Sequence, residues 1–163
     1  MEPPPFDHQA LRQALGRFAT GVTIVTCRDA QGQAVGLTCN SFSALSLEPP
    51  LVLWSLRSAS PNVEAFRAAR HWAVNVLGEA QVDLSRRFAS PVTDRFSEGL
   101  WSDGLGGVPL LAGCSAVIQC ERHEALETGD HWLFLGRVLA LAEAPIPPLI
   151  FQSGRYHLLG EIL

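Results

Sequence analysis

The sequence predicts a mainly β fold, an antiparallel Greek-key-like barrel with two or three short helices, and three observations lead there. Runs of β-branched and apolar residues of strand length recur along the chain. Gly, Pro, Asp and Ser clusters separate them as turns. No regular strand–helix alternation, which would signal a doubly wound parallel sheet, runs through the chain. With 163 residues and 47% hydrophobic content, residues 1–163 are expected to form one domain around a single core, since domains commonly run to roughly 100–200 residues. Neither an internal repeat nor a low-complexity linker divides it.

Asp7 is placed to cap a helix in which Ala10, Leu11, Ala14, Leu15 and Phe18 recur at helical spacing, ending near Gly16 to Ala19. The apolar stripe predicts one face packed on a core. Thr20 to Cys27 and Ala34 to Phe42 read as two paired strands joined by the turn-like Asp29–Gly32. Gly36 to Asn62 then carries two hydroxyl-rich loops around an apolar strand. Thr38, Asn40, Ser41, Ser43 and Ser46 fill the first loop, and Pro49-Pro50 breaks the chain. Leu51 to Leu56 reads as a buried strand, and Ser55, Ser58 and Ser60 follow.

Ser60 and Pro61 read as the cap and first turn of a short helix reaching about Ala69. His71 to Leu77 is a further strand, Glu79 to Ala89 a helix, and residues 90–107 a loop with glycines at 99, 104, 106 and 107. Cys114 to Leu126 and Trp132 to Glu143 are two long strands about a hairpin turn at Glu127–His131. A short strand, Leu149 to Gln152, leads through Ser153-Gly154 to a last segment from Arg155 to Leu159.

Composition removes several function classes. The net charge of -4 and the absence of any basic stripe argue against a nucleic-acid partner. All 12 basic residues are arginines, so neither a P-loop lysine nor a lysine Schiff base is available. The longest strongly apolar run, Trp132 to Ala142, is interrupted by Arg137 and is too short to span a bilayer. The N-terminal MEPPPFDHQ lacks the regions of a signal peptide, so a cytoplasmic protein without a membrane segment is expected. Cys27, Cys39, Cys114 and Cys120 form no C-x-x-C pair, which predicts buried thiols rather than a metal site or a disulfide framework. Cys39 stands apart because it lies in a polar loop.

Three constellations carry candidate chemistry. Ser60-Pro61, with Arg57 nearby, either offers an anion the free N–H groups of a helix start or simply caps a helix. His131 sits beside Asp130 at a hairpin mouth, as a catalytic ring oriented by a carboxylate or as a turn residue. Arg95 in Asp94-Arg95-Phe96 faces either a phosphate or a surface ion pair. Gly104-Leu105-Gly106-Gly107 looks superficially like a dinucleotide fingerprint, but no strand is read before it and Pro109 follows, so a Rossmann reading fails. Without a G-x-S-x-G elbow, an H-E-x-x-H pair or a carboxylate dyad, catalysis is expected to draw its reactive atoms from a bound cofactor.

Taken in order, several segments resemble the short-chain flavin reductases, the reductase components of two-component flavin-dependent monooxygenases, which have the FMN-binding split-barrel fold. These are Leu15 to Thr26, Gly36 to Ser43, Ser46 to Val52, and Ser58-Ala59-Ser60-Pro61-Asn62. Phe88, Asp94-Arg95-Phe96, Gly129-Asp130-His131, Gly136-Arg137-Val138, Pro148 to Phe151 and Gly154-Arg155-Tyr156 complete the series. Each piece is short, and their order and spacing over nearly the whole chain are the specific signal.

The resemblance implies a homodimer that passes hydride from NADH or NADPH to FMN or FAD and supplies reduced flavin to an oxygenase partner. Thr38, Cys39, Asn40, Ser41 and Ser43 would line the isoalloxazine and ribityl chain, and Ser55, Leu56, Ser58, Ser60 and Asn62 the ribityl and phosphate end. His131 would lie at the nicotinamide side as the catalytic residue, with Arg95, Arg155 and Tyr156 as looser contacts. Phe151 departs from the tyrosine that many relatives carry there. Two other readings keep the fold: tightly held FMN reducing another acceptor such as a corrinoid, and a non-catalytic flavin- or haem-binding module.

Overall fold

Thr23, Ile24, Val25 and Thr26 make a β-branched run that suits a pleated backbone, and in the computed structural model, which describes residues 1–163, it becomes a strand buried on both faces. The helices are α1 (His8–Gly16), α2 (Val63–Ala68) and α3 (Val82–Phe88). The first strands are β1 (Thr20–Gly21), β2 (Thr23–Arg28), β3 (Ala34–Cys39), β4 (Ser43–Leu47), β5 (Pro50–Arg57) and β6 (His71–Val76). Two short strands, β7 (Trp101–Asp103) and β8 (Pro109–Leu111), precede the long β9 (Ala116–Thr128) and β10 (His131–Glu143), and β11 (Ile150–Gln152) and β12 (Arg155–His157) close the chain.

Seven strands form one antiparallel sheet in the order β3-β2-β6-β9-β10-β5-β4. Its two edge strands are consecutive in sequence, joined only by residues 40–42, so the sheet must curl until its edges approach. Ser41 fastens that seam: its hydroxyl donates to the Ser55 carbonyl at 2.9 Å and accepts from the Ser55 N–H at 3.0 Å. These bonds fall two positions beyond the Ser43–Leu53 pair, so a side chain continues the ladder where the backbone departs.

The core has two parts. Inside the curl, Trp54 and Phe134 stack at 4.8 Å and Phe66 of α2 meets Trp54 edge-on at 4.8 Å, all three fully buried. Outside β2, Val22, Ile24, Leu77, Phe88, Leu111 and Leu149 form the second cluster, under α3 and the β7–β8 hairpin. Buried Asn75 ties that hairpin to the sheet, donating to the Ile24 carbonyl at 2.9 Å and accepting from the Leu111 N–H at 2.9 Å.

Several expectations are corrected. The apolar stripe of α1 packs on no core: Leu15 is 65% and Phe18 79% exposed, because the helix is held mainly at its C-terminal end, where the Ser153 N–H donates to the Gly16 carbonyl at 2.8 Å. The hydroxyl-rich first loop shrinks to Asn40–Phe42, with Thr38 on β3 and Ser43 and Ser46 on β4. Leu51 to Leu56 alternates, burying Val52, Trp54 and Leu56 while Leu51, Leu53 and Ser55 stay half-buried on the other face. Residues 90–107 include the short strand β7 before the glycine cluster. The fingerprint reading fails because β8, and not a helix, follows those glycines. The hairpin turn at the β9–β10 end is two residues, with Gly129 at φ +61° as a type II′ turn requires. The helix expected from Ser60 starts at Val63, and Ser60 instead accepts from the Asn62 N–H at 3.3 Å. No helix is long and apolar enough to cross a membrane.

Candidate functional site

The open edge between β3 and β5 is roofed by the Arg57–Asn62 turn on one side and by the C-terminal end of α3 on the other, which leaves a cleft of about 470 Å³. Leu37, Leu56 and Phe88 supply apolar lining, and Thr38, Arg57, Ser60, Asn62 and Arg95 the polar lining. An adjoining pocket of about 160 Å³ shares Thr38 and Ala89 with it and is lined further by Cys39, Asn40, Phe151 and Tyr156. Eight of the residues singled out from sequence therefore converge on one continuous groove: Thr38, Cys39, Asn40, Leu56, Ser60, Asn62, Arg95 and Tyr156.

Each polar group is placed by identifiable local bonds. Thr38 donates its hydroxyl to the Ser85 carbonyl at 2.6 Å, which fixes β3 against α3. Arg95 donates from Nη1 to the Gly36 carbonyl at 2.9 Å and from Nη2 to the Ser90 carbonyl at 2.6 Å, while its buried Nε has no partner. Arg57 forms no ion pair, so one guanidinium of the cleft is held rigidly and the other is free. Close approach explains Gly36: a Cβ there would lie 2.9 Å from the Phe88 ring and 3.0 Å from that of Phe96.

His131 begins β10 directly opposite Arg57, the last residue of β5, and so stands at the rim of the cleft. Its Nδ1 lies 2.7 Å from Asp130 Oδ1, and the hydrogen bond from the ring holds the Asp130 carboxyl below its usual range. That bond places the ring proton on Nδ1 and leaves Nε2 free at a side chain 41% exposed. The Asp130 carbonyl also accepts from the Ser58 N–H at 2.9 Å, which ties the hairpin to the Arg57–Asn62 turn.

The other sequence candidates lie apart from the groove lining. Ser41 and Ser55 are joined to each other at the seam, Ser43 is exposed with its hydroxyl on the Ala44 carbonyl, and the Ser58 hydroxyl reaches Glu127 at 3.4 Å. Arg155 is exposed on β12, across from Gln152. Sequence reasoning passed over Ser85, Ala89, Phe88 as a lining residue, and Val22. Nothing in the local pattern marks Ser85, whose place depends on where α3 docks.

The groove thus combines an apolar lining, hydroxyls and amides along its length, and two guanidinium groups at one end. That donor set fits a long ligand with a planar apolar part and an anionic group. Neither guanidinium needs a lysine beside it.

A family model, the flavin reductase like domain, matches residues 15–160. The chain is 44% identical over 93% of its length to a probable flavin reductase of Rhizobium meliloti, of which it covers 49%, so it spans about half the length of that curated relative. It is 40% identical over 91% of its length to the FMN reductase (NADH) SmoA of Agrobacterium fabrum, covering 84% of that protein. Among solved structures, the NADH:FAD oxidoreductase SgcE6 of Streptomyces globisporus, in complex with NAD and FAD fragments, superposes with a TM-score of 0.90 at 35% identity, covering 98% of this chain and 97% of that one.

Proposed function

From the premise that this chain belongs to the flavin reductase like domain family, we propose that it is an NAD(P)H:flavin oxidoreductase that reduces FMN or FAD and supplies it to a flavin-dependent oxygenase. The observation that carries this reading is the convergence of Thr38, Asn40, Ser60, Asn62 and two guanidinium groups on one groove with His131 at its rim. Relatives that carry the names FMN reductase (NADH) and reductase component of a monooxygenase support it.

A bound flavin supplies the acceptor for hydride from a reduced nicotinamide. The chain's own groups do the remaining work. Thr38, Cys39 and Asn40 hold the ring end, Ser60 and Asn62 the ribityl chain, and Arg57 and Arg95 neutralise the phosphate end. Ser41, Ser43 and Ser55 support that wall from the seam, Leu56 packs beneath it, and Ser58 fixes the turn. His131, oriented by Asp130, offers Nε2 to the nicotinamide nucleotide. No strong protein acid or base is needed, because hydride transfer between stacked rings depends on placement and on excluding water.

A homodimer and a cytoplasmic location belong to the same proposal. Leu51, Leu53, Leu133 and Leu135 share the outer face of β5 and β10, where a barrel in water would ordinarily carry polar residues, and a second copy is the occupant proposed for that face. Four free cysteines suit a reducing compartment. Oxidation of NADH and NADPH, each followed with FMN and with FAD, tests the activity. Purified protein that oxidises neither nucleotide with either flavin overturns it.

A further inference from the structure

Ser85 is fully buried on α3, and two walls of the ring-end pocket are tied to it. Its Oγ lies 2.7 Å from the hydroxyl of Tyr156 on β12, and its carbonyl accepts from Thr38 on β3 at 2.6 Å. Tyr156 in turn meets Phe151 edge-on at 5.4 Å, and both rings face the pocket that Thr38, Cys39 and Asn40 line from the other side. The guanidinium of Arg86, the next residue on α3, stands 5.5 Å over the Tyr156 ring. The C-terminal hairpin β11–β12 meets α3 otherwise only through Arg86 and the packing of Phe151 and Tyr156 on the cluster that contains Phe88, and its sheet partner is the two-residue β1.

We propose that Ser85 is a positioning residue for flavin binding, setting the width of the ring-end pocket by holding Tyr156 with its side chain and Thr38 with its backbone. The inference rests on the flavin reading given above and adds to it a residue that touches no ligand. The Ser85–Tyr156 pair is the one hydrogen bond between this hairpin and α3, so it supplies the directional contact that fixes where the wall stands. Loss of either hydroxyl leaves the hairpin free to shift, and a bound ring must then order that wall itself.

Titration of wild type, Ser85→Ala, Tyr156→Phe and the double variant with FMN and with FAD, followed by flavin fluorescence, tests this. Each single change is expected to weaken flavin binding about fivefold to tenfold, and the double change no further than the weaker single, since both remove one bond. Ser85→Thr, which restores a hydroxyl, recovers most of the affinity. Tyr156 is the only tyrosine, so the tyrosine doublet in the ultraviolet resonance Raman spectrum reports this hydroxyl alone and is expected to change in Ser85→Ala. Single variants that melt lower yet bind both flavins within twofold of wild type overturn the proposal, as does a double variant whose loss is the product of the two singles. Wild-type protein that binds no flavin overturns the functional reading as well, so the two failures are distinguishable. Tyr156→Phe alters a half-buried surface hairpin and keeps the test open if Ser85→Ala does not fold.

Discussion

His131 and Arg57 are directly opposite each other where β10 begins and β5 ends. The register brings a ring held by Asp130 beside a guanidinium that forms no ion pair but also helps hold the Asp130 carboxyl low, at the rim of the one groove that gathers most of the sequence candidates. If that rim is the nicotinamide side, His131→Ala should lower the rate of NADH or NADPH oxidation by about tenfold or more while flavin affinity changes less than about threefold. Asp130→Asn, which keeps the ring but loosens its orientation, should fall between wild type and His131→Ala. Steady-state kinetics with parallel flavin titrations measure both. The reverse pattern, with flavin affinity lost and turnover kept, would move His131 out of the nicotinamide site.

Thiol accessibility provides an independent check on the packing. Burial pushes the thiols of Cys27, Cys114 and Cys120 up to about 12, with the Asp29 carboxylate adding to the rise at Cys27. These three should stay unreactive towards an aromatic disulfide near about pH 8, where Cys39, half-buried at the groove, should react alone. Four thiols should titrate in denaturant. A thiol raised in the folded state costs nothing below 9.0, and stability falls as the pH climbs from there towards about 12, because only the unfolded chain ionises in that window. Flavin should slow the Cys39 reaction, and three or more fast thiols in the folded protein would contradict the core described here.

Much of this was legible in the sequence, for physical reasons that also explain what was not. The β-branched run at Thr23–Thr26, the paired long strands about Gly129-Asp130 and the capping Asp7 carry their structure locally, and each forms where periodicity and turn chemistry place it. Thr38, Ser60, Asn62 and Arg95 were legible as candidates because their segments resemble a family, and the fold does bring them to one cleft. The α1 stripe misled because amphipathic spacing reports that a face needs covering and not which chain covers it. Ser85 was invisible because its bonds join residues 47 and 71 positions away, and a serine in mid-helix has no local signature of a tertiary latch.

Gly136 marks a place where packing, not backbone conformation, demands glycine. It sits on β10 at a register shift, and a Cβ there would run into the indole of Trp72 and the Cβ of Cys120. Trp72 is fully buried and meets Trp54 edge-on at 6.0 Å, so it cannot yield without disturbing the aromatic core. Gly136→Ala should therefore destabilise by about 1–3 kcal/mol, as overpacking of a filled core does. Denaturant unfolding followed by tryptophan fluorescence checks this, and a neutral or stabilising result would mean that the indole has room to move.

The half-buried leucines of the barrel wall make the assembly testable. Leu133 lies across from Ser55 on one side and from Leu126 on the other, and Leu135 lies across from Leu53 and Glu124, so this face of three adjacent strands carries a leucine patch bordered by Ser55 and Glu124. Stable interfaces bury about 1,600 Å² in total, and a charge placed in such a patch is left without a partner in the desolvated centre. If a second copy covers this face, wild type should sediment as a dimer and Leu133→Glu as a monomer in sedimentation velocity at micromolar protein. Val52, Trp54 and Phe134 face the interior and are untouched by the change, so the far-ultraviolet circular dichroism of the barrel should persist. Because β5 carries both this face and the Leu56 and Arg57 lining of the groove, flavin affinity should fall together with dimerisation. Wild-type protein that sediments as a monomer would overturn the proposed homodimer, and Leu133→Glu that remains dimeric would assign the pairing of copies to another surface.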